Sequence, residues 1–331
     1  MSLKGKRVLV TGAGGFIGSH LTEALIHAGA RTRALVHYNA RGDWGHLNSV
    51  DSDVRREMEV VVSDICDRSG IRRAVEGCEV VFHLAALIGI PYSYQAPQSY
   101  VSTNIEGTLN VLEACRDCGV QRVLQTSTSE VYGTAQYTPI DERHPLHAQS
   151  PYAATKIGAD QLGYTYFASF QMPVVIVRPF NTFGPRQSAR AVIPTIISQA
   201  LVGSDIELGS TATVRDFLFV RDNARGFMAA ALAPADKVLG EVINLGTGRG
   251  ITIGQVVELV GNIVGNKLRV TTVAGRQRPE KSEVLELVCN ANKAADLTRW
   301  RATTSLEDGL AETVRWIGAN RELYRLGEYS I

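Results

Sequence analysis

Continuous apolar runs of strand length alternate with helical patterns through the first half of this 331-residue chain. Each run is rich in Val, Ile and Leu, which is typical of strands buried on both faces. The runs are KRVLVTG, RTRALVHY, MEVVVSD, CEVVFHLAA, QRVLQTSTS and MPVVIVRPF. Strands of this kind that are joined by helices form a parallel sheet with helices on both sides. The pattern therefore predicts an α/β fold with a doubly wound parallel sheet of the Rossmann type.

The rhythm changes after about residue 180, where Pro179, Pro185 and Pro194 interrupt it. Shorter elements follow, up to a final amphipathic helix around LEDGLAETVRWIGANREL. We expect a dinucleotide-binding domain at residues 1–180, completed by returning segments near 215–248. Residues 181–331 are expected to form mainly a smaller C-terminal substrate-binding lobe.

Charge and composition exclude several classes of partner. The formal net charge is +1, which gives no overall field for nucleic acid or an anionic membrane. The N-terminus runs straight into a strand pattern without a signal-peptide core, and no stretch approaches the roughly 18 apolar residues of a membrane span. Five scattered cysteines fit a reducing compartment, and the CxxC at Cys115 and Cys118 has no second ligand pair. We expect a cytoplasmic protein without a metal site.

A glycine-rich turn follows the first strand in VLVTGAGGFIGSHL and opens a helix. Glycines at this spacing allow a tight turn and let backbone N–H groups approach a pyrophosphate at the helix N-terminus. The pattern predicts dinucleotide binding, and the alternative is that the glycines only pack the helix on the strand. The residues expected at the cofactor are Gly12, Gly15, Phe16, Ile17 and Gly18.

The end of the second strand bears on the choice between NAD and NADP. An acidic residue there would hydrogen-bond the ribose 2′-hydroxyl of NAD, but His37 stands in that place and Arg41 follows. This favours NADP over NAD, unless Arg41 is only a solvated loop residue. Asp64 is placed to accept from the adenine amino group, although it also fits a plain strand end. Further residues expected to line the cofactor are Ile65 and the phrase HLAA, which comprises His83, Leu84, Ala85 and Ala86.

A helix that begins near Ser150 carries Tyr152 and Lys156 four residues apart, on one face. An ammonium group and a positively charged nicotinamide ring favour the phenolate form of a nearby tyrosine. Tyr152 can then accept a proton from a sugar hydroxyl while hydride goes to the cofactor, and Thr128 can orient the same oxygen. The tyrosine–lysine spacing is common by chance, and it becomes specific only together with the glycine turn and Thr128.

Nearly the whole chain resembles the extended short-chain dehydrogenase/reductase family of sugar-nucleotide epimerases, dehydratases and decarboxylases. The resemblance lies in TGAGGFIGSHL, HLAA, NIEGTLNVLEA, TSTSEVYG, SPYAATK, RPFNTFGP and RDFLFV. It implies that Thr128, Tyr152 and Lys156 oxidise the sugar at C4 with a tightly bound, recycled cofactor. It also implies a homodimer formed by the helices starting near Asn104 and Tyr152, for which Leu109, Val111, Leu112, Tyr164 and Phe167 offer apolar surface.

Glu130 distinguishes this chain from the family's 4-epimerases, which usually carry small, non-acidic residues at the positions of Ser129 and Glu130. Once C4 is a ketone, a carboxylate can remove the C5 proton as a general base. Loss of the C6 hydroxyl as water and return of the hydride would give a 4-keto-6-deoxy sugar nucleotide. Glucose-type 4,6-dehydratases pair an Asp with this Glu, whereas Ser129 stands here, as in the mannose-type pattern. The alternatives are a structural role for Glu130 in its turn and a uronate decarboxylase.

The resemblance assigns substrate binding to four further residues. Asn181 would bind the diphosphate or the sugar, and Arg190, Arg215 and Arg278 are candidates for the diphosphate because guanidinium matches phosphate oxygens. The chain looks most like 4,6-dehydratases that act on nucleotide-linked N-acetylglucosamine, with uridine or guanosine as base, in routes to legionaminic-type acids. The other open classes are a 4-epimerase or decarboxylase on the same scaffold and a non-enzymatic dinucleotide-binding protein.

Overall fold

The computed structural model describes residues 2–273 and 279–324. Seven parallel strands form its central sheet: β1 (Arg7–Thr11), β2 (Arg31–Val36), β3 (Glu59–Val62), β4 (Val80–His83), β5 (Arg122–Thr126), β6 (Val174–Pro179) and β10 (Val242–Leu245). Their spatial order is β10-β6-β5-β4-β1-β2-β3, and every neighbouring pair is parallel. The strand order reverses between β1 and β4, which is where such sheets bind ligands. The predicted doubly wound Rossmann sheet is confirmed.

Helices cover both faces of this sheet because both faces are apolar. The helices on or beside the main sheet are α1 (Phe16–His27), α2 (Ser52–Arg56), α3 (Arg68–Val75), α4 (Ile90–Gln95), α5 (Pro97–Tyr100), α6 (Gly107–Asp117), α7 (Pro151–Phe170), α9 (Val220–Leu232), α10 (Ala235–Val238) and α12 (Asn292–Thr298). One buried cluster joins α1, α9 and α12 to the sheet, and a second joins α3, α6 and α7 to its other face. A π-helical segment, Val101–Glu106, connects α5 to α6.

A smaller lobe lies on the C-terminal half of the chain. It contains β7 (Asn181–Phe183), β8 (Asp205–Leu208), β9 (Val214–Phe219), β11 (Gly250–Thr252), β12 (Arg269–Thr272) and β13 (Glu286–Leu287), with α8 (Val192–Ala200), α11 (Ile253–Val264) and α13 (Leu306–Ala319). Strand β9 pairs with β7, β11 and β13, while β8 pairs with β12. A third buried cluster, between α8, α11, α13 and β9, forms the core of the lobe.

The chain returns to the main domain more than once. Within residues 215–248, α9 packs on the main sheet and β10 extends it, whereas most of β9 belongs to the lobe. Helix α12 also returns, because Ala294 joins the core of the main domain.

The apolar side chains of α6 divide between core and surface. Val111 and Leu112 are 0% and 1% exposed against the sheet, while Leu109 is 37% exposed. The expectation that Val111 and Leu112 contribute to a dimer surface is therefore wrong, because the helix uses them for its own domain. Tyr164 on α7 remains 50% exposed.

Within residues 2–273 and 279–324, no helix is long and apolar enough to cross a membrane. In the same ranges, no group of three or more His, Cys, Asp or Glu side chains is placed to hold a metal ion. Cys115 is buried and Cys118 partly buried, and burial raises the pKa of both thiols.

Candidate active site

The glycine turn between β1 and α1 depends on the absence of side chains. Gly12 has φ +70°, and a Cβ there would lie 2.8 Å from the Ala85 backbone nitrogen. A Cβ on Gly18 would lie 2.1 Å from the Gly12 carbonyl oxygen. Residues Phe16 and Ile17 form the first turn of α1, whose backbone N–H groups are suited to an anion. The residues present therefore fit a dinucleotide pyrophosphate at this turn.

Most of the other predicted cofactor residues lie at the same carboxyl edge of the parallel strands. Leu84, Ala85 and Ala86 follow β4, and the Ala85 N–H donates to the Thr11 Oγ1 at 3.1 Å. Ile65 follows β3 and is 4% exposed. These residues therefore share one edge of the sheet, because parallel strands all end at the same edge.

The end of β2 carries a contact between a histidine and a carboxylate that the sequence did not predict. His37 Nε2 lies 3.1 Å from the Asp64 Oδ2, and His37 Nδ1 lies 2.8 Å from the Tyr38 carbonyl oxygen. Burial raises the pKa of Asp64, but hydrogen bonds from Cys66 and His37 outweigh it and the pKa is lowered. Arg41 lies exposed in the following loop. A carboxylate from the segment after β3 therefore lies beside the end of β2.

The candidate catalytic turn directly follows β5. Thr128 caps a 3₁₀ turn over Ser129–Tyr132, and its Oγ1 accepts from the Glu130 N–H at 3.2 Å. The turn stops at Gly133, whose φ is +65° and where a Cβ would lie 2.3 Å from the His147 carbonyl oxygen. The turn brings Thr128, Ser129 and Glu130 to the carboxyl edge of the sheet. Ser129 is 3% exposed, and Glu130 is half-buried.

Helix α7 starts where the sequence predicts and presents Tyr152 in its first turn. The Ser150 Oγ accepts from the Ala153 N–H at 3.1 Å, and Pro151 occupies the first helical position, both favourable at a helix start. Lys156 is one turn further along, 4% exposed, and its Nζ donates to the Thr126 carbonyl oxygen at 2.6 Å. The lysine therefore ties α7 to the end of β5.

The structure brings Thr128, Glu130 and Tyr152 into one electrostatic environment. Burial raises the pKa of Tyr152, a hydrogen bond with the Thr128 side chain lowers it, and the negative charge of Glu130 raises it, with a net upward shift. Burial lowers the pKa of Lys156, against which the charge of Asp160 acts. Tyr152 is therefore protonated in the protein without a bound ligand, and additional positive charge nearby is needed to make it a base.

Three further residues support this site, and of these the sequence predicts only His83, as part of the HLAA phrase at residues 83–86. The Tyr100 ring packs edge-on against Tyr152, with 6.3 Å between ring centroids. Asn104, in the π-helical segment, donates to the Thr155 Oγ1 at 3.0 Å and to the Leu87 carbonyl oxygen at 2.9 Å. Asn104 lies in the phrase NIEGTLNVLEA, so a polar residue at the start of that helix was the available signal. Irregular helical turns of this kind are frequent at functional sites.

The third supporting residue is His83, which lies beneath the site at the end of β4. Its Nδ1 and Nε2 lie 2.9 and 3.0 Å from the hydroxyls of Thr11 and Thr108. Burial and the charge of Lys156 lower its pKa to about 3. His83 is therefore neutral and links β1 to α6.

The predicted substrate residues are placed differently from one another. Asn181 begins β7, and its buried Oδ1 has no hydrogen-bond partner among the described residues. The Arg190 Nη1 lies 3.8 Å from where a Cβ of Gly89 would be, and its charge acts on Tyr100. The Arg215 guanidinium is buried, with Nη2 donating to the Val284 carbonyl oxygen at 2.7 Å. Arg278 lies outside the described residues. Their roles toward a substrate stay predictions.

Comparison with known proteins identifies the family. The family model described as GDP-mannose 4,6 dehydratase matches residues 9–313. A dTDP-glucose 4,6-dehydratase of Actinoplanes sp. is 34% identical over 95% of this chain and 98% of its own length. A UDP-glucuronate 4-epimerase of Thermodesulfobacterium geofontis is 33% identical over 96% and 98%.

A solved structure gives the same result for the fold. DesIV, a dTDP-glucose 4,6-dehydratase from Streptomyces venezuelae solved with NAD bound, superimposes with a TM-score of 0.86 at 30% identity, covering 96% of this chain and 99% of that one. The matched residues 9–313 include the glycine turn, the turn at Thr128 and the helix that carries Tyr152. The chain therefore belongs to the extended short-chain dehydrogenase/reductase family of NAD-dependent sugar-nucleotide dehydratases and epimerases.

Proposed function

We propose that the protein is a sugar-nucleotide 4,6-dehydratase that converts a nucleoside-diphosphate hexose to its 4-keto-6-deoxy derivative. The observation that carries the proposal is the position of Glu130. Its carboxylate lies in the same turn as Thr128 and close enough to Tyr152 for its charge to raise the pKa of that hydroxyl. A 4-epimerase needs no carboxylate at this position, whereas a dehydratase needs a base for the C5 proton.

The first step is proton removal from the C4 hydroxyl by Tyr152, with Thr128 orienting that oxygen. When bound, the nicotinamide dinucleotide accepts hydride from C4, returns it to C6 and supplies positive charge beside Tyr152. Lys156 adds its own positive charge and holds α7 against β5 through the Thr126 carbonyl oxygen. Burial raises the pKa of Tyr152, which keeps its hydroxyl protonated at neutral pH. The positive charges of Lys156 and the bound cofactor lower that pKa and so allow Tyr152 to act as a base.

Glu130 then removes the C5 proton, which is acidic because C4 is a ketone. The C6 hydroxyl must leave as water and therefore needs a proton donor. Ser129, which occupies the place of the usual acidic partner, is 3% exposed. We assign both steps to Glu130, which takes the proton from C5 and can deliver it to the departing C6 oxygen. The C5 carbon then regains a proton from solvent, and Tyr152 releases to solvent the proton that it took from the C4 hydroxyl. Ser129 then serves to shape the turn.

The cofactor we propose is NAD. The sequence alone favours NADP through His37 and Arg41, but His37 is paired with the Asp64 carboxylate at 3.1 Å. A carboxylate at this edge can accept a hydrogen bond from the ribose 2′-hydroxyl and repels a 2′-phosphate. Calorimetric titration with NAD and NADP tests the choice. Binding of NADP tighter than NAD would restore the first expectation and assign Arg41 to the phosphate.

The substrate we propose is UDP- or GDP-N-acetylglucosamine, in accordance with the sequence resemblance to the dehydratases of legionaminic-type routes. Asn181 and Arg190 are our candidates for its polar contacts. The buried, unpartnered Oδ1 of Asn181 among the described residues supports a ligand donor there, because buried polar atoms are rarely left unsatisfied.

A second candidate function is a reaction on a nucleoside-diphosphate uronate, either 4-epimerisation or decarboxylation. The position of Arg190 favours it, because its guanidinium lies beside Tyr100, which packs on Tyr152. A C6 carboxylate on the sugar could be held by such a cation. One relative at 33% identity is a UDP-glucuronate 4-epimerase, which keeps this possibility open to test.

Product analysis separates these functions. The protein is incubated in turn with UDP-N-acetylglucosamine, GDP-N-acetylglucosamine and UDP-glucuronate, and products are followed by mass spectrometry and proton NMR. We expect one acetamido sugar to lose one water and to gain solvent deuterium at C5. Tyr152→Phe is the inactive control. Loss of CO2 from the uronate, or its epimerisation without water loss from either acetamido sugar, would replace the dehydratase proposal with the second candidate.

A further inference from the structure

A buried ion pair lies directly behind the turn that carries Thr128 and Glu130. Asp160, on α7 one turn after Lys156, and Arg178, on β6, have side chains that are 1% and 4% exposed. The Arg178 Nη2 and Nε donate to the Asp160 Oδ2 at 2.8 and 3.1 Å. No step of the proposed reaction uses either residue. A buried ion pair contributes little net stability, because both charges lose their hydration, so stability alone does not account for it.

Each member of the pair holds one end of the turn. Ser127, which directly precedes Thr128, donates from Oγ to the Asp160 Oδ2 at 2.7 Å. At the other end, the Arg178 Nη1 donates to the Tyr132 hydroxyl oxygen at 2.9 Å. Tyr132 is 0% exposed and closes the 3₁₀ turn. The two anchors therefore enclose residues 128–131, which include both side chains assigned to chemistry.

The hydrogen bonds inside the turn are long by comparison. The Val131 N–H lies 3.5 Å from the Thr128 carbonyl oxygen, and the Gly133 N–H lies 3.3 Å from the Glu130 carbonyl oxygen. Bonds of this length are weak, and 3₁₀ geometry is poorer than α-helical geometry. The internal bonds hold the turn less firmly than the shorter, charge-assisted anchors at its two ends. The Tyr132 anchor extends further, since its hydroxyl donates to the Asn244 Oδ1 on β10 at 2.8 Å.

We infer that the Asp160–Arg178 pair is a positioning element that fixes both ends of segment 127–132 and so sets Thr128 and Glu130 relative to Tyr152. The part that concerns Glu130 rests on the proposed dehydratase function. The part that concerns Thr128 applies to any reaction that begins with C4 oxidation. Neither Asp160 nor Arg178 contacts substrate in this assignment, and both act through the turn.

Two single-atom changes test this inference without removing the ion pair. Ser127→Ala deletes the anchor beside Thr128, and Tyr132→Phe deletes the anchor beyond Glu130. Each variant, in excess, is mixed rapidly with a limiting amount of sugar nucleotide, so that every enzyme molecule turns over at most once. Absorbance records reduction of the bound cofactor, and quenched samples record water loss. Thr313→Val is the matched control, because it removes a buried hydroxyl in α13 whose bond to the Gly309 carbonyl oxygen is 2.6 Å.

We expect Ser127→Ala to slow cofactor reduction by roughly 10- to 100-fold, the scale of rate lost when a catalytic group is misplaced by about an ångström. Tyr132→Phe should slow water loss more than cofactor reduction. Affinity for NAD and the KM for the sugar nucleotide should stay close to wild type in both. These rate constants are measured well below the unfolding midpoint, so a role in stability alone would leave them unchanged.

Cofactor reduction at the wild-type rate in both Ser127→Ala and Tyr132→Phe, or slowing no greater than that of Thr313→Val, overturns the inference. The proposed function fails separately. If wild-type protein reduces its cofactor but forms no dehydrated product, then slow reduction in Ser127→Ala still supports the positioning of Thr128. In that case the Tyr132→Phe effect on water loss has no meaning, and its effect on reduction is the remaining measure.

Discussion

Glu130→Gln tests which side chain removes the C5 proton. Glutamine keeps the size and the hydrogen-bonding oxygen of Glu130 but cannot accept a proton as a base. Thr128, Tyr152 and Lys156 are unchanged, so oxidation at C4 continues. We expect dehydration to fall by about 100- to 10,000-fold, which is about 3 to 5 kcal/mol of transition-state free energy. The reduced cofactor should accumulate, because hydride return to C6 requires elimination first.

The structure adds a second expectation for the same variant, which concerns pH. The negative charge of Glu130 raises the pKa of Tyr152, so its removal lowers that pKa. Tyr152 acts as a base only when it is deprotonated. The rate of C4 oxidation should therefore reach its plateau at a lower pH in Glu130→Gln than in the wild type. Stopped-flow absorbance of the reduced nicotinamide is recorded across a pH series. It measures both the amount of reduced cofactor that accumulates and the pH at which the oxidation rate reaches its plateau.

Glu258→Gln, on the exposed surface of α11, is the control for loss of one carboxylate. It should leave the dehydration rate and the pH profile of oxidation unchanged. Proton NMR of the sugar in deuterated water completes the assay, since Glu130→Gln should show no deuterium at C5. Dehydration by Glu130→Gln at close to the wild-type rate would refute the reasoning and reduce Glu130 to a structural residue of its turn.

Three further predictions follow from the glycine turn, the buried histidines and the surface of α6 and α7. Gly18→Ala should abolish NAD binding and lower the unfolding temperature, because its Cβ would lie 2.1 Å from the Gly12 carbonyl oxygen. The control is Gly318→Ala, whose Cβ would have no described atom within 4 Å, and its free energy of unfolding should stay within about 1 kcal/mol of wild type. Burial, with nearby positive charge, lowers the pKa of His20 and of His83 from 6.5 to about 3. Below about pH 6.5 the unfolded chain therefore binds more protons than the folded protein does. The free energy of unfolding, measured with denaturant, should fall by about 2 kcal/mol per histidine between about pH 6.5 and 5. Equal free energies of unfolding at the two pH values would contradict this. Light scattering should give a dimer, and a single species at the 35.9 kDa of one chain would contradict it.

The sequence by itself determines the elements and the local chemistry of this protein. Apolar runs and helical patterns predict the parallel sheet, since continuous burial on both faces is a local property of each strand. The glycine turn, the Ser150 cap and the spacing of Tyr152 and Lys156 are likewise local, because caps and i, i+4 faces depend on a few adjacent residues. The sequence also places Thr128, Ser129 and Glu130 at the end of the fifth strand, but it does not predict the 3₁₀ turn that they form.

The tertiary structure decides what approaches from distant parts of the chain. The pairing of His37 with Asp64 places a carboxylate from the segment after β3 beside the end of β2, where the sequence shows no acid. The Tyr100 ring packs edge-on against Tyr152, and the Arg215 guanidinium donates to the Val284 carbonyl oxygen beside β13.

The pair of Asp160 and Arg178 shows the physical reason most directly. Each is an ordinary charged residue in its own helix or strand, and their separation along the chain is 18 residues. Only the packing of α7 on the sheet buries both charges and directs them to Ser127 and Tyr132. Burial and the charge of a neighbour are properties of the assembled core, so no local pattern reports them.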